Sequence, residues 1–198
     1  DFRNGNTDIL IGTQMVSKGL DFDRVKVVGI LNADTAMNIP DFRSYERAYQ
    51  MMSQVAGRVG RRSTQGIVIL QTSQPESELI DQVVRNDYSA MYKAQMQERQ
   101  LFMFPPYCRL IYAFIRNRFA NRADDAARSL CCKLQPVFGD NMLGPASPPV
   151  ARVKLEYIRQ VMLKVPPTAS PVKVREFLRR CAEEVRREYR VNIYFDAD

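Results

Sequence analysis

The chain has no histidine at any of its 198 positions. That removes a His general base or a Ser-His-Asp triad from the chemistry this piece can carry. Its four cysteines, Cys108, Cys131, Cys132 and Cys181, show no CxxC spacing. With histidine missing too, the usual zinc arrangements are excluded. Reduced thiols in a cytoplasmic protein are the expectation, with no metal bound by this piece. No apolar run approaches the roughly 18 residues of a membrane span, and no signal-peptide pattern opens the chain, so no membrane partner is expected. The first residue is Asp1 rather than Met, and a piece of something longer is expected. Neither a GxxxxGK[ST] phosphate loop nor a DExH pattern occurs. Internal repeats and low-complexity segments are absent as well.

What is present suffices for a core: 22.8 kDa, 45% hydrophobic and 26% charged residues, a globular balance. The net charge of +7 is unevenly placed. Residues 1–100 hold 12 basic and 12 acidic side chains, whereas residues 101–198 hold 17 and 10. A basic half beside a neutral half implies two modules. The basic one either meets a polyanion or presents a solvated surface with no partner.

The runs "DILIGTQ" (8–14), "VKVVGILNAD" (25–34) and "GIVILQTSQP" (66–75) are short and apolar, and turn residues close them; they are predicted strands. Between the last two, Phe42, Tyr45, Tyr49, Met52, Val55 and Val59 recur at three- and four-residue spacing. That predicts a helix with one buried stripe, with Asp41 as its N-cap. Strands alternating with helices argue for a parallel α/β sheet. Such sheets bind ligands beyond the carboxyl ends of their strands, where "GTQ" and "NAD" fall.

Residues 76–102 read as one or two helices, with Leu79, Ile80, Val83 and Val84 inward. The proline pair at 105 and 106 marks the predicted boundary, giving domains at 1–104 and 105–198. Beyond it the pattern reads strand 109–116, helix 122–135, a loop at 139–149, strand 153–165, helix 171–189 and strand 191–196. A short strand near "NMLG" would complete a β-α-β-β-α-β order, a small α+β sandwich. Along 153–165, Val153, Leu155, Tyr157, Val161, Leu163 and Val165 share one face, interrupted by Arg159. Lys154, Glu156, Gln160 and Lys164 occupy the other.

The stretch "SQVAGRVGRRSTQG" (53–66) packs three arginines and three glycines after the long helix. Cations and glycine suit a helix end. Yet glycine costs about 1 kcal/mol relative to alanine in a helix interior, which a simple basic helix end has no need to bear. At about 100° per residue, Arg47, Gln54, Arg58 and Arg61 fall on one polar stripe. Two arginines three apart, each preceded by a slim glycine, can reach one phosphate group with planar, permanently charged forks.

"QVAGRVGR" resembles motif VI of superfamily 2 helicases, and "ILIGTQMVSKGLDF" resembles their motif V. "NADTAMNIPDFRSYERAYQMMSQVAGRVGR", "FPPYCRLIYAF", "GPASPPVARVKLEYIRQVMLKV" and the closing "FDAD" are similar to the PriA family of bacterial primosomal replication-restart helicases. The resemblance covers nearly the whole chain. It implies a motor of two RecA-like lobes with ATP and Mg²⁺ between them, and a zinc module upstream of this piece. The chain then looks like the later part of lobe 2 plus the family's C-terminal DNA-binding domain, half an active site and inactive alone.

Mapped by motif, Arg58 and Arg61 would steady charge on the γ-phosphate and Gln54 would orient that phosphate or one of the arginines. Gly19 and Asp21 would sit near the ATP ribose and the attacking water; Thr13 and Gln14 would touch the phosphates of the translocated strand. Asp21 as a loop cap and Thr13 as a strand-end hydroxyl bonded to local backbone stay open. In the second domain the DNA candidates are Arg152, Lys154, Arg159 and Lys164, with Tyr157 either core or stacking platform. The arginines of 171–190 alternate with glutamates and read as a solvated helix face. The family implies single-stranded and branched DNA as ligands. It implies other primosome proteins, single-stranded-DNA-binding protein and the replicative helicase loader as partners. The rival expectation is a non-enzymatic DNA-binding and protein-docking module of the primosome.

Overall fold

The computed structural model describes residues 2, 6–13, 25–57 and 66–197, and the chain divides into two compact units, Asp1–Gln97 and Glu98–Asp198. The division falls inside a helix, so the proline pair at 105 and 106 lies within the second unit.

In the first unit β1 (Val27–Ile30) and β2 (Ile67–Leu70) pair in parallel, Val27 opposite Ile67 and Ile30 opposite Leu70. Parallel neighbours need a crossover rather than a tight turn. Here α1 (Asp34–Met37) and α2 (Ser44–Ala56) lie between the two strands in sequence, and α3 (Glu78–Val84) and α4 (Tyr88–Leu101) follow. One turn apart along α2, Ser44, Ala48 and Met52 are buried together with Tyr49. Met37, Leu79, Ile80, Val83 and Met91 complete that core. Tyr45, expected in the buried stripe, is 40% exposed: small Ser44 and Ala48 let α2 pack closely, and the buried face is centred on them.

Three further expectations differ from the structure. Residues 8–13 form no strand, and Ile9 and Ile11 are exposed; an apolar run becomes a strand only where a neighbour takes its backbone hydrogen bonds. Val84 also points outward, because at about 100° per residue it stands roughly 90° from the centre of the face formed by Leu79, Ile80 and Val83. Asp41 caps the approach rather than the helix itself. Its carboxylate accepts from the backbone N–H of Arg43 at 2.9 Å and from Arg47 Nη1 at 2.6 Å.

The second unit follows the expected β-α-β-β-α-β order. Its elements are β3 (Arg109–Asn117), α5 (Ala120–Phe138), β4 (Met142–Ala146), β5 (Arg152–Val153), β6 (Glu156–Val165), α6 (Pro171–Tyr189) and β7 (Asn192–Ala197). The sheet order is β4-β6-β3-β7, antiparallel throughout, with β5 hairpinned onto β6. Alternation along the strands sorts the two faces. Ala113, Ile115, Val161, Leu163, Val165 and Ile193 point to one side and pack with Leu130, Leu134, Leu178 and Val185 of α5 and α6. Helices therefore cover one face, as in a two-layer sandwich.

The predicted strand 153–165 is broken near its start. Lys154 and Leu155 have φ of 47° and 69° and connect Val153 to its partner Glu156. Two central residues with positive φ in a two-residue hairpin define a type I′ turn, which matches strand twist. Alternation through Val153 and Leu155 is lost, and Leu155 is 70% exposed at the tip. Helix α5 also outruns its predicted end at 135: Pro136 sits in its last turn with both it and Cys132 exposed, so water can take the carbonyl that proline leaves unbonded.

Candidate functional site

At the carboxyl ends of β1 and β2 the sequence places Asp34 and the Thr72–Ser73 pair. Asp34 accepts hydrogen bonds from Thr72 Oγ1 at 2.5 Å, Ser73 N at 2.8 Å and Ser73 Oγ at 2.7 Å. The bond from Thr72, then those from Ser73, hold its carboxyl below the ordinary value of 3.8. The expectation singled out "NAD" as a strand-end position. It did not name Thr72 and Ser73, which reach Asp34 only because β1 and β2 are neighbours.

Helix α2 carries the start of the arginine motif. Gln54 is exposed, seven residues on from Arg47 and so on the same side of the helix. Gly57 ends α2 at φ −66° and ψ −2°, so the residue is not there to make a left-handed cap. A Cβ on it would lie 3.3 Å from the Ser53 carbonyl, so the glycine keeps the backbone slim at that point. Arg58 and Arg61 lie outside the described residues, as do Gln14, Gly19, Asp21 and Val59. Thr13 is described and exposed. Among the described residues no group of three or more His, Cys, Asp or Glu is placed to hold a metal ion, and no helix is long and apolar enough to cross a membrane.

The four basic candidates of the second unit do not share one surface. Arg152 lies over the Tyr157 ring, 4.9 Å from its centre, beside exposed Lys154 at the hairpin tip. Lys164 stands at the far end of β6, about 26 Å from Glu156 by strand rise. Its Nζ donates to the Phe102 carbonyl at 2.5 Å and lies 4.7 Å from the Phe104 ring centre. Arg159 faces the helices: Nη2 donates to Asp124 Oδ2 at 3.0 Å and Nε donates to Oδ1.

The sheet face away from the helices carries residues that the sequence reading did not single out. Tyr112, Phe114 and Tyr194 form a stacked series with centroid separations of 6.2 and 5.0 Å. Arg116 extends it, its guanidinium 4.8 Å from the Tyr194 ring centre and its Nη2 donating to the Tyr194 hydroxyl at 2.6 Å. The only signal available beforehand was "LIYAFIRN" itself. Its alternation sends Tyr112, Phe114 and Arg116 to one side and Ile111, Ala113 and Ile115 to the other.

Residues 1–63 match the helicase conserved C-terminal domain, and residues 100–198 match the primosomal protein N C-terminal domain. The chain belongs to the PriA family. Replication restart protein PriA of Treponema pallidum is 38% identical over 199 residues, covering 100% of this chain and 30% of that protein. Its counterpart in Bacillus subtilis is 36% identical over 189 residues, 94% of this chain and 23% of that protein. The Haemophilus influenzae protein is 33% identical over 201 residues, 100% of this chain and 27% of that protein. The chain thus spans less than a third of the PriA relatives it matches. Its first unit is part of a RecA-like helicase lobe with a parallel sheet, and its second is an α+β sandwich of the PriA C-terminal type.

Proposed function

We propose that the chain is the end of helicase lobe 2 and the C-terminal DNA-binding domain of an ATP-dependent 3′→5′ DNA helicase. The whole protein would recognise stalled or branched replication forks and start primosome assembly. What carries this reading is the succession, in one chain, of a helicase C-terminal match and a primosomal C-terminal match, with similarity along the whole of this chain to part of a replication restart protein. The boundary between the two functions is placed at the proline pair, with 1–104 serving ATP and 105–198 serving DNA.

In that protein ATP is the substrate. The phosphate loop, the Mg²⁺ ligands and the zinc module are assigned to upstream parts. From this chain, Arg58 and Arg61 supply planar N–H forks to the γ-phosphate oxygens as negative charge grows on them. Gln54, exposed at the end of α2, orients that phosphate. Gly19 and Asp21 border the ribose and the attacking water, while Thr13 and Gln14 grip the translocated strand. The partners are single-stranded and branched DNA, other primosome proteins, single-stranded-DNA-binding protein and a helicase loader.

The experiment is steady-state ATP turnover beside nucleotide titration in the full-length parent. Arg61→Ala should lower kcat by about 10³-fold or more while nucleotide affinity falls far less, because a finger acts on charge that develops in the transition state. An unchanged kcat would leave a basic helix end and favour the non-enzymatic docking module.

A further inference from the structure

The chain leaves β3 through Asn117, and that residue organises a cleft. Its buried amide accepts from the Phe119 backbone N–H at 2.9 Å and donates to the Arg190 carbonyl at 3.1 Å. One side chain thereby holds the entry to α5 against the residue that ends α6. Around it Arg116, Arg118, Arg122 and Arg190 line a cleft of about 210 Å³, with Glu156 as its only acid among the described residues.

Four guanidinium groups around one small space repel one another unless an anion joins them. Among the described residues none of Arg118, Arg122 and Arg190 forms an ion pair. The Nε–H of Arg116 is buried with no acceptor, an unmet donor of the kind that folded proteins rarely leave. The positive end of α5, a 19-residue helix with no acid in its first turn, adds to the field.

Arg116 belongs to two features at once. Its guanidinium is the last plane of the aromatic series of Tyr112, Phe114 and Tyr194, and the residue also lines the arginine cleft. Across the sheet Phe114 pairs with Gln160 and Tyr112 with Met162, so amide and thioether groups extend the same face. A row of rings beside a cationic cleft matches a polyanion whose backbone is charged and whose bases are flat and unpaired. Duplex DNA offers the charge but keeps its bases stacked inside.

We infer that the arginine cleft and the aromatic face of β3 and β7 form one binding site for single-stranded DNA. A backbone phosphate sits among Arg116, Arg118 and Arg122, and the neighbouring bases lie against Tyr194 and Phe114. The inference rests on the DNA reading above and gives it a location, at the Arg152–Lys154 end of the sheet and away from Lys164.

The test is fluorescence anisotropy of the whole 198-residue chain with labelled oligothymidylate of about 15 nucleotides, within the site sizes of sheet-type single-strand binders. Salt is varied, and oligouridylate and duplex DNA of equal length serve as comparisons. Arg118→Gln with Arg122→Gln, both on exposed positions, should weaken binding about tenfold and flatten the slope of log affinity against log salt by about 1.4. Tyr194→Leu with Phe114→Leu should weaken it about tenfold with the slope unchanged, since stacking releases no counterions. Tyr194→Leu alone, on an exposed ring, gives a smaller loss of the same kind and guards against misfolding, which thermal unfolding monitors. Equal affinity for duplex, or tighter binding of oligouridylate, overturns the single-stranded DNA assignment. Binding by the parent chain that neither pair of substitutions alters overturns this site but keeps the DNA reading. No binding by the parent chain at low salt overturns both.

Discussion

Arg159 on β6 and Asp124 on α5 meet through two nitrogens and two oxygens on the helix side of the sheet, Nη2 and Oδ2 at 3.0 Å. Their side chains are 15% and 34% exposed, so water screens the pair only in part. The hydrogen bond from Arg159 is the main influence that holds the Asp124 carboxyl below 3.8, with Arg159 and Arg128 charge adding to it. A depressed carboxylate contributes stability that is present above its unfolded value and is lost as pH falls through the folded one.

Asp124→Asn should therefore cost the second unit about 1–2 kcal/mol at neutral pH, in the range for charged hydrogen bonds discounted for exposure. The gap from the parent chain should narrow as pH falls below the ordinary carboxylate value of 3.8 and go on narrowing as the carboxyl takes up its proton. Urea unfolding across that range checks it. A gap independent of pH would mean the pair contributes through packing alone.

Gly144→Ala should lower stability by about 2 kcal/mol or more. Gly144 has a φ of 123°, and a Cβ there would lie 2.9 Å from the Gln160 carbonyl oxygen and 3.3 Å from Val161 Cα, both backbone atoms of β6. Neither atom can swing aside, so β4 must move off its neighbour. Gly29→Ala, with nothing within 4 Å of the added carbon, should stay within about 0.5 kcal/mol of the parent, as surface changes do. Thermal melts of the two variants provide the comparison.

Thiol labelling should find one fast site. Cys132 is exposed, while Cys108, Cys131 and Cys181 are buried. Burial, helped by neighbouring Cys132, pushes the Cys131 thiol up to about 11, so raising the pH to about 9 yields little of its thiolate. Reaction with a disulfide reagent under native conditions should show a single rapid equivalent that Cys132→Ser removes. Two rapid equivalents in the parent chain would contradict the burial of Cys108, Cys131 and Cys181.

Elements set by local periodicity were legible beforehand. The run 25–34 holds β1, the stripe around Tyr49 and Met52 holds α2, and the alternation of 109–116 holds β3. What escaped depended on neighbours or on unusual backbone. Ile9 and Ile11 look like strand residues, but strand formation depends on a partner that the apolar run itself does not specify. Lys154 and Leu155 carry none of the glycine or asparagine that announces a turn with positive φ. Among the DNA candidates, the partners of Arg159 and Lys164 were not legible because Asp124 lies 35 positions from Arg159 and Phe102 lies 62 from Lys164. The cleft of Arg116, Arg118, Arg122 and Arg190 joins residues that only the β3–β7 pairing and the Asn117 bridge bring together.

Strand β3 has no neutral positions along its length. Its odd-numbered residues from Ile111 to Ile115 belong to the helix-covered core, and Tyr112, Phe114 and Arg116 belong to the opposite face. Because side chains alternate with a period of two, one inserted or deleted residue would exchange the two sets. It would bury a guanidinium and turn isoleucines to water. Variation in this strand is therefore confined to swaps that respect both faces, and changes in chain length must be absorbed elsewhere. The exposed tip at Lys154 and Leu155, free of core side chains, is where the chain can grow or shrink without rewriting either side of the sheet.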